Sequence, residues 1–313
     1  MAEMKPTRWG YGEALVDLGE KNDKIWALTG DLAESTYVHK FQAKFPERFV
    51  QVGIAEQNMC NVAAGLAVAG KIPFWTTYGA FAACRSLDML RVTVAYSNLN
   101  VKIGGGHSGL TVGPDGATHQ ILEDIAIIRS LPNMKMVIPC DYHEAYNATL
   151  AIAEIDGPCY IRLGRSPQPI LTSRDDPFII GKATTLRDGN DIAIIACGQL
   201  VSEAILAHEE LAKQGIRARV INMRSVKPID VEVILSAAKE CGAIVTAEEH
   251  QIYGGLGAAV AQECALGGVP VPMAMVAMQD QFGRSGSPEE LLTHYGMRAT
   301  NIVDKVKSLL KKS

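Results

Sequence analysis

Residues 49–70 read FVQVGIAEQNMCNVAAGLAVAG, and this stretch decides the fold. Phe49, Val50 and Val52 have the β-branched and aromatic character of a half-buried strand, expected over 49–52. Gly53 breaks that pattern, and residues 55–69 then read as a helix of small apolar side chains. From Asn61 to Gly70 nothing is charged and Ala and Gly dominate. Such a helix suits close approach by another backbone and does not suit water. One carboxylate, Glu56, stands in its first turn. A carboxylate there is either a capping anion on the helix dipole or an acid in a dry functional site. The segment alone leaves both open.

The same alternation continues outward in both directions. Trp9, Leu15 and Leu18 recur at helical spacing before a strand over 25–28 that ends at Thr29, Gly30 and Asp31. Further strands are expected at 73–77, 101–103, 135–138 and 159–163, with helices over 80–96, 121–131 and 144–155. A glycine-rich loop fills 104–116. The periodicity fails over 165–190, RSPQPILTSRDDPFIIGKATTLRDGN, where Pro, Ser and charge clusters predict a surface linker carrying a short hairpin. A second unit follows, with strands at 192–196, 218–221, 243–247 and 273–277 and helices over 202–213, 230–238 and 256–264. Strands alternating with helices argue parallel sheets. The expected fold class is therefore α/β, two domains with mostly parallel sheets, divided as 1–170, a linker at 171–190, and 191–313.

Composition narrows the function classes. A chain of 313 residues has room for two domains, and 48% hydrophobic with 20% charged residues is ordinary for a globular protein. A net charge of −4 with Lys and Arg spread along the chain gives no footprint for nucleic acid. The basic run at 305–312 reads as the solvated face of a last helix. Seven cysteines without CxxC spacing point to reduced, buried thiols, not to a disulfide framework or zinc site. No apolar run approaches the ~20 residues of a membrane span, and the N-terminal MAEMKPTRWGYGEAL has no apolar signal core. A cytoplasmic location is expected.

Open parallel sheets bind ligands at the carboxyl ends of their strands. Asp31, Glu56, Tyr78, His107 and Arg165 each fall just past such an end. One polar residue there is ordinarily a helix cap; five converging from different strands make a site. Tyr78 and Phe81 project to one side of a strand-to-helix turn, either as core aromatics or as a stacking floor for a flat ring. His107, Asp115 and His119 surround glycine turns at a spacing that matches no zinc pattern. Two other motifs carry no chemistry. Residues 254–257, GGLG, lack the full dinucleotide spacing and its acidic partner. Residues 282–288, FGRSGSP, read as a loop entering a helix with Ser287 as its cap.

Three segments carry a family resemblance: GIAEQNMCNVAAG at 53–65, GGGHSGLTVGPDGATHQ at 104–120 and RSLPNMKMVIPCD at 129–141. They resemble the C-terminal portion of transketolases, and most of all the C-terminal subunits of split transketolases, in which the enzyme is divided over two chains. The resemblance covers nearly the whole chain. It implies a pyrimidine-binding domain followed by a transketolase C-terminal domain, the latter lying largely away from the reaction. It also implies transfer of a two-carbon ketol unit between sugar phosphates with thiamine diphosphate, in the pentose phosphate pathway. Glu56 would hold a proton with ring nitrogen N1′ of the cofactor, in a dry setting that lets a carboxyl share it. Tyr78 and Phe81 would form the pyrimidine pocket, where the family's third aromatic is replaced by Cys84. Asp31 would brace the cofactor or a subunit contact. Arg8, Ser35, His107 and Arg165 would meet the substrate phosphate, for which the planar fork of arginine is suited. Asp115 would accept a bond from a sugar hydroxyl, and His119 would bind the donor's hydroxyls and assist proton transfer.

The chain contains no Gly-Asp-Gly, the family's motif for the metal that anchors the diphosphate. Mg²⁺ or Ca²⁺ needs oxygen ligands and cofactor phosphates, so the resemblance implies an N-terminal partner subunit that supplies them. An α₂β₂ assembly is expected, paired through the Ala-rich helix of this chain. Within the same cofactor class, the rivals are a 2-oxoacid dehydrogenase beta subunit and a relative of 1-deoxyxylulose-5-phosphate synthase. From another class, the rival is a non-catalytic scaffold or regulatory paralogue.

Overall fold

The computed structural model describes residues 3–311; Lys312, the end of the basic run at 305–312, lies outside the described residues, as do Met1 and Ala2 of the N-terminal stretch. Two α/β domains with mostly parallel sheets are present. The first sheet has seven strands in the order Ser225–Lys227, Lys135–Val137, Cys159–Arg162, Lys102–Gly106, Ile72–Tyr78, Ile25–Thr29, Phe49–Gln51. Six are parallel; Ser225–Lys227 alone is antiparallel. The second sheet runs Met273–Met278, Ile244–Gln251, Ile192–Ala196, Ala218–Asn222, Thr184–Arg187, with only the last strand antiparallel. Continuous burial of Ile192–Ala196 and Lys102–Gly106 reflects sheets covered on both faces.

The helix Glu56–Val68 packs on the first sheet through Met59, Cys60, Ala63 and Ala64, all buried. Its opposite side leaves Asn61, Gly65 and Val68 exposed. The helices Thr7–Lys21 and Tyr142–Ala153 cover the other face in close contact, because Gly10 brings the two backbones together. A methyl on Gly10 would sit 2.0 Å from the Tyr142 carbonyl oxygen.

Four features depart from the sequence expectation. The helix expected over 80–96 is replaced by wide turns at Phe81–Arg85 and Leu90–Tyr96, with one α turn, Leu87–Met89, between them. The Ser86 amide reaches back five residues to the Phe81 carbonyl at 3.2 Å. Wide turns of this kind frequently mark functional sites. The helix expected over 121–131 starts only at Asp124, because the Ile121 carbonyl is spent on the Gly109 amide. The region 165–190 forms no hairpin of its own. Gln168–Pro169 pairs with Met4–Lys5, and Thr184–Arg187 becomes the edge of the second sheet. Ser225–Lys227, too short to show in any periodicity, crosses from the second domain to complete the first sheet.

A buried ion pair lies beside this seam. Arg162 Nε donates to Asp124 Oδ2 at 2.8 Å, with the two side chains 6% and 0% exposed. Removing one partner of such a pair strands a buried charge. Asp124→Ala is therefore expected to lose about 3–5 kcal/mol of stability, read as a lower denaturant midpoint at unchanged slope. A loss below about 1 kcal/mol would place Asp124 in a water-compensated setting instead.

Candidate active site

The carboxyl ends of the first sheet gather the residues singled out from the sequence. Glu56 opens its helix but makes no side-chain cap. It is 1% exposed, and its carboxylate accepts a hydrogen bond from Arg85 Nη1 at 2.8 Å. Glu56 thus stands in the first turn, where the helix dipole favours an anion, with its side-chain bond made to Arg85 and none to the helix's own amides. Its setting is dry but not apolar, since a guanidinium touches it. Arg85 also lies over the Phe81 ring, 4.3 Å from its centroid, and its carbonyl accepts from Gln57 Nε2 at 3.2 Å. Arg85 was missed in the sequence, although it stands four residues after Phe81 on the same side of a helical turn.

Three rings form a ladder beside this pair. Tyr78 and Phe81 are near-parallel at 5.9 Å, and Tyr78 stacks on His107 at 4.0 Å. His119 meets Tyr78 and Phe81 edge-on at 5.9 and 5.4 Å. Tyr78 ends its strand, and the wide turn that follows brings Phe81 back alongside it. The neighbouring strand contributes Gly105, where a methyl would fall 1.9 Å from the Tyr160 hydroxyl. His107 then takes a positive φ of 51°, a strained conformation for histidine that turns its ring onto Tyr78.

Beyond the ladder lies a group of cations. His107 Nε2 accepts from Arg8 Nη1 at 3.0 Å, and Arg8 Nη1 also reaches the Ser35 carbonyl at 3.0 Å. Ser35 thus contributes its backbone to this arrangement. Arg165 Nη1 donates to the Val112 carbonyl at 2.6 Å and pairs with Asp115 Oδ1 at 3.4 Å. Accepting from Arg8 fixes His107 as the neutral tautomer with its proton on Nδ1, an assignment made from the bond itself. Burial, followed by the charges of Arg8 and Arg165, pushes the His107 pKa down to about 3. Burial and Arg165 also lower that of Arg8.

The consequence for acid stability has a definite sign. As pH falls from the ordinary histidine value of about 6.5 towards 3, the unfolded chain takes up a proton at position 107 that the native state refuses. His107 therefore subtracts stability progressively with acid across that window. Its ring is expected to stay neutral, with a flat ¹H–¹³C NMR shift from about pH 8 to about 5; a midpoint near 6.5 would contradict the geometry.

The remaining candidates are placed more loosely. His119 is half-buried and its Nδ1 lies 2.9 Å from Thr118 Oγ1. Asp31 is exposed at a φ of 63°, its amide bound to Gln51 Oε1 at 2.7 Å. Cys84 is exposed and lines a depression of about 330 Å³ with Phe81, Arg85 and Phe282. The other six cysteines are buried and unpaired. The glycine run at 254–257 starts the helix Leu256–Leu266, whose first amides are already taken by Glu248 at 2.6 and 2.8 Å. Ser287 does cap the helix Pro288–His294. Among the described residues, no group of three or more His, Cys, Asp or Glu could hold a metal ion, and no helix is long and apolar enough to cross a membrane.

Fold and site define a class: two α/β domains in which the buried carboxylate of Glu56 lies beside stacked aromatics and an Arg–His cluster at the edge of a parallel sheet. Residues 3–169 match the transketolase pyrimidine-binding domain and residues 181–302 the transketolase C-terminal domain. The chain belongs to the transketolase family, as a C-terminal subunit. It is 44% identical over 310 residues to a putative transketolase C-terminal section of Methanocaldococcus jannaschii, covering 98% of this chain and 97% of that one. It is also 44% identical, over 94% of its length and 91% of the relative's, to the 6-deoxy-6-sulfo-D-fructose transketolase subunit SqwH of a Clostridium species. Among solved structures, a split gene transketolase described as an inactive beta4 tetramer superposes with a TM-score of 0.92, 45% identity and 98% coverage of both chains.

Proposed function

We propose that this chain, joined to an N-terminal subunit, transfers a two-carbon ketol unit from a ketose phosphate to an aldose phosphate. The observation that carries the proposal is the pairing of two features on one sheet edge: the buried Glu56 beside Phe81, and the Arg8–His107–Arg165 cluster across Tyr78. The transketolase family generally uses thiamine diphosphate with a divalent metal, and the pocket has a stand-in for its flat ring. The Arg85 guanidinium is planar, donates N–H to Glu56 and stacks on Phe81. A space that accepts this flat group between Glu56 and Phe81 accepts an aminopyrimidine of similar size, with the bond reversed: Arg85 donates to the carboxylate, and a ring nitrogen would accept from the protonated Glu56. Arg85 is 47% exposed and has solvent to turn into.

When bound, the cofactor supplies the nucleophile and electron sink for breaking the bond beside the donor carbonyl. This chain supplies the surroundings. Glu56 holds a proton against the ring nitrogen, and its burial keeps water from competing for that proton. Phe81 and Tyr78 fix the plane of the ring. Arg8, Arg165 and neutral His107 receive the charged tail of the donor. Asp115 takes a donor hydroxyl, and His119 is positioned for proton transfer near the reacting carbon. Asp31 is assigned to bracing the cofactor end of the pocket or a subunit contact.

Mg²⁺ or Ca²⁺ and the diphosphate would be held by the partner, in an α₂β₂ assembly. The exposed side of the helix Glu56–Val68, with Ile54 and Val68 both 75% exposed, supports pairing of two copies there. Xylulose 5-phosphate as donor would place the reaction in the pentose phosphate pathway. A second reading keeps the chemistry and changes the tail. The sugar in one relative's name, 6-deoxy-6-sulfo-D-fructose, ends in a sulfonate where xylulose 5-phosphate ends in a phosphate, and an Arg–His cluster suits either oxyanion.

The test mixes this chain with its N-terminal subunit, Mg²⁺ and thiamine diphosphate, and follows glyceraldehyde 3-phosphate release from xylulose 5-phosphate. Release supports the main reading, and turnover of 6-deoxy-6-sulfofructose alone supports the second. Turnover of pyruvate without either sugar would favour a 2-oxoacid dehydrogenase or deoxyxylulose-phosphate synthase type of chemistry. Cofactor binding without any turnover would favour a scaffold.

A further inference from the structure

The second domain touches the loop that carries the substrate-facing residues. Near the end of its strand Ile244–Gln251 stand Glu248, Glu249 and His250, all buried, and each accepts from at least one backbone amide. Glu248 starts a helix of its own domain, but the next two residues act on the first domain. His250 Nε2 accepts from the Ala126 amide at 3.2 Å, in the first turn of Asp124–Ser130. Glu249 accepts from the Thr111 amide at 2.9 Å through Oε1, while the Thr111 hydroxyl, with one proton to give, donates to Gln199 Oε1 and stands 3.2 Å from Glu249 Oε2.

Thr111 belongs to the turn Leu110–Asp115. Its own carbonyl accepts from Ser166 Oγ at 2.8 Å, and the next carbonyl, Val112, holds Arg165. Glu249 thus holds the one Thr111 amide in the turn that sets both Arg165 and its partner Asp115, with Gln199 beside it on the Thr111 hydroxyl and Gln120 Nε2 donating to the Leu110 and Gly113 carbonyls. Two further contacts lock Glu249 in place. Gly109 has a φ of 91° and packs on the carboxylate so closely that a methyl there would stand 2.8 Å from Oε2. Arg162 Nη2 donates to the Glu249 carbonyl at 2.9 Å. A carboxylate that is 3% exposed, with one backbone amide as its main donor, costs more to bury than a neutral side chain would. Stability alone does not call for an acidic side chain at this position; the turn needs an acceptor that reaches the Thr111 amide.

We infer that Glu249, from the C-terminal domain, is a positioning residue for substrate binding: it clamps the turn Leu110–Asp115 so that Arg165 and Asp115 face the donor's charged tail and hydroxyl. This rests on the reading of Arg165 as a tail-binding group given above. On this inference the C-terminal domain reaches the site through Glu249, where the family resemblance implies a domain lying largely away from the reaction.

The variants are Glu249→Ala, Glu249→Asp and Glu249→Gln, the last keeping an acceptor for the Thr111 amide. In the reconstituted complex, Glu249→Ala is expected to raise KM for the phosphorylated ketose about tenfold or more. Its kcat/KM on an unphosphorylated ketol donor is expected to fall several-fold less, since only the Asp115 contact is at stake there, and its cofactor affinity is expected to stay within about twofold of wild type. Glu249→Asp should show the same split at smaller amplitude, which keeps the test open if Glu249→Ala does not fold, and Glu249→Gln should recover most of the loss. Hydrogen exchange on the isolated full-length chain supplies a readout independent of turnover: amides at 107–116 should exchange faster in Glu249→Ala or Glu249→Asp, and those of the second sheet should not. Equal losses on both donors, or uniform exchange, would reduce Glu249 to a stabilising residue and overturn the inference. If the wild-type complex turns over no sugar phosphate, the reading of the reaction fails, and the exchange result still decides whether the clamp exists.

Discussion

Glu56→Gln is expected to lower turnover of the reconstituted complex by about 10²- to 10⁴-fold, the range of a lost general acid–base partner. The substitution keeps the shape of the side chain and its burial at 1% exposure, so the fold should survive. What it removes is a group that can hold a proton and give it back. A glutamine amide can still meet a ring nitrogen, but it cannot follow the proton through the reaction. Cofactor affinity should fall far less than turnover. The check is kcat at saturating cofactor beside the thermal midpoint of the free chain. Activity within tenfold of wild type at unchanged stability would remove Glu56 from the chemistry. In the present structure the carboxylate accepts from Arg85 Nη1 at 2.8 Å, so Arg85 has to turn towards solvent before Glu56 meets a ring nitrogen.

Arg165→Ala is expected to raise KM for the phosphorylated donor by about 10- to 150-fold, corresponding to the 1.5–3 kcal/mol of one charge-assisted hydrogen bond. Its kcat should change little, because the tail is remote from the bond that breaks. The same change frees Asp115 from its 3.4 Å partner and releases the Val112 carbonyl, so some loss of order in the turn accompanies the loss of charge. Arg165→Lys restores the charge without the fork and should recover only part of the affinity. Steady-state kinetics with phosphorylated and unphosphorylated donors separates the two effects. Equal KM values for wild type and Arg165→Ala on the phosphorylated donor would move tail recognition elsewhere.

The sheet architecture was legible because it rests on local signals. Strands such as Ile25–Thr29 and Ile192–Ala196 are short β-branched runs between turn residues, and sequence expectation met them within a residue or two. The elements that escaped depend on distant partners. Ser225–Lys227 has three residues and no pattern of its own, and only Lys135–Val137 makes it a strand. The turns at Phe81–Arg85 share the composition of an α-helix, and nothing in FAACR signals the wider geometry. At the candidate site, Glu56, Tyr78 and His107 were visible as polar and aromatic residues after strand ends. Arg85 and Glu249 were not, because their meaning lies in contacts across 29 and 138 residues of chain.

The central claim is that Glu56 serves a ring which this chain holds only together with its partner. Calorimetric titration of thiamine diphosphate with Mg²⁺ measures this most directly, into this chain alone, into the N-terminal subunit alone and into their equimolar mixture. The account predicts saturable binding in the mixture at one site per copy of this chain, with none in this chain alone. Saturable binding by this chain without its partner, or none in the mixture, would contradict it.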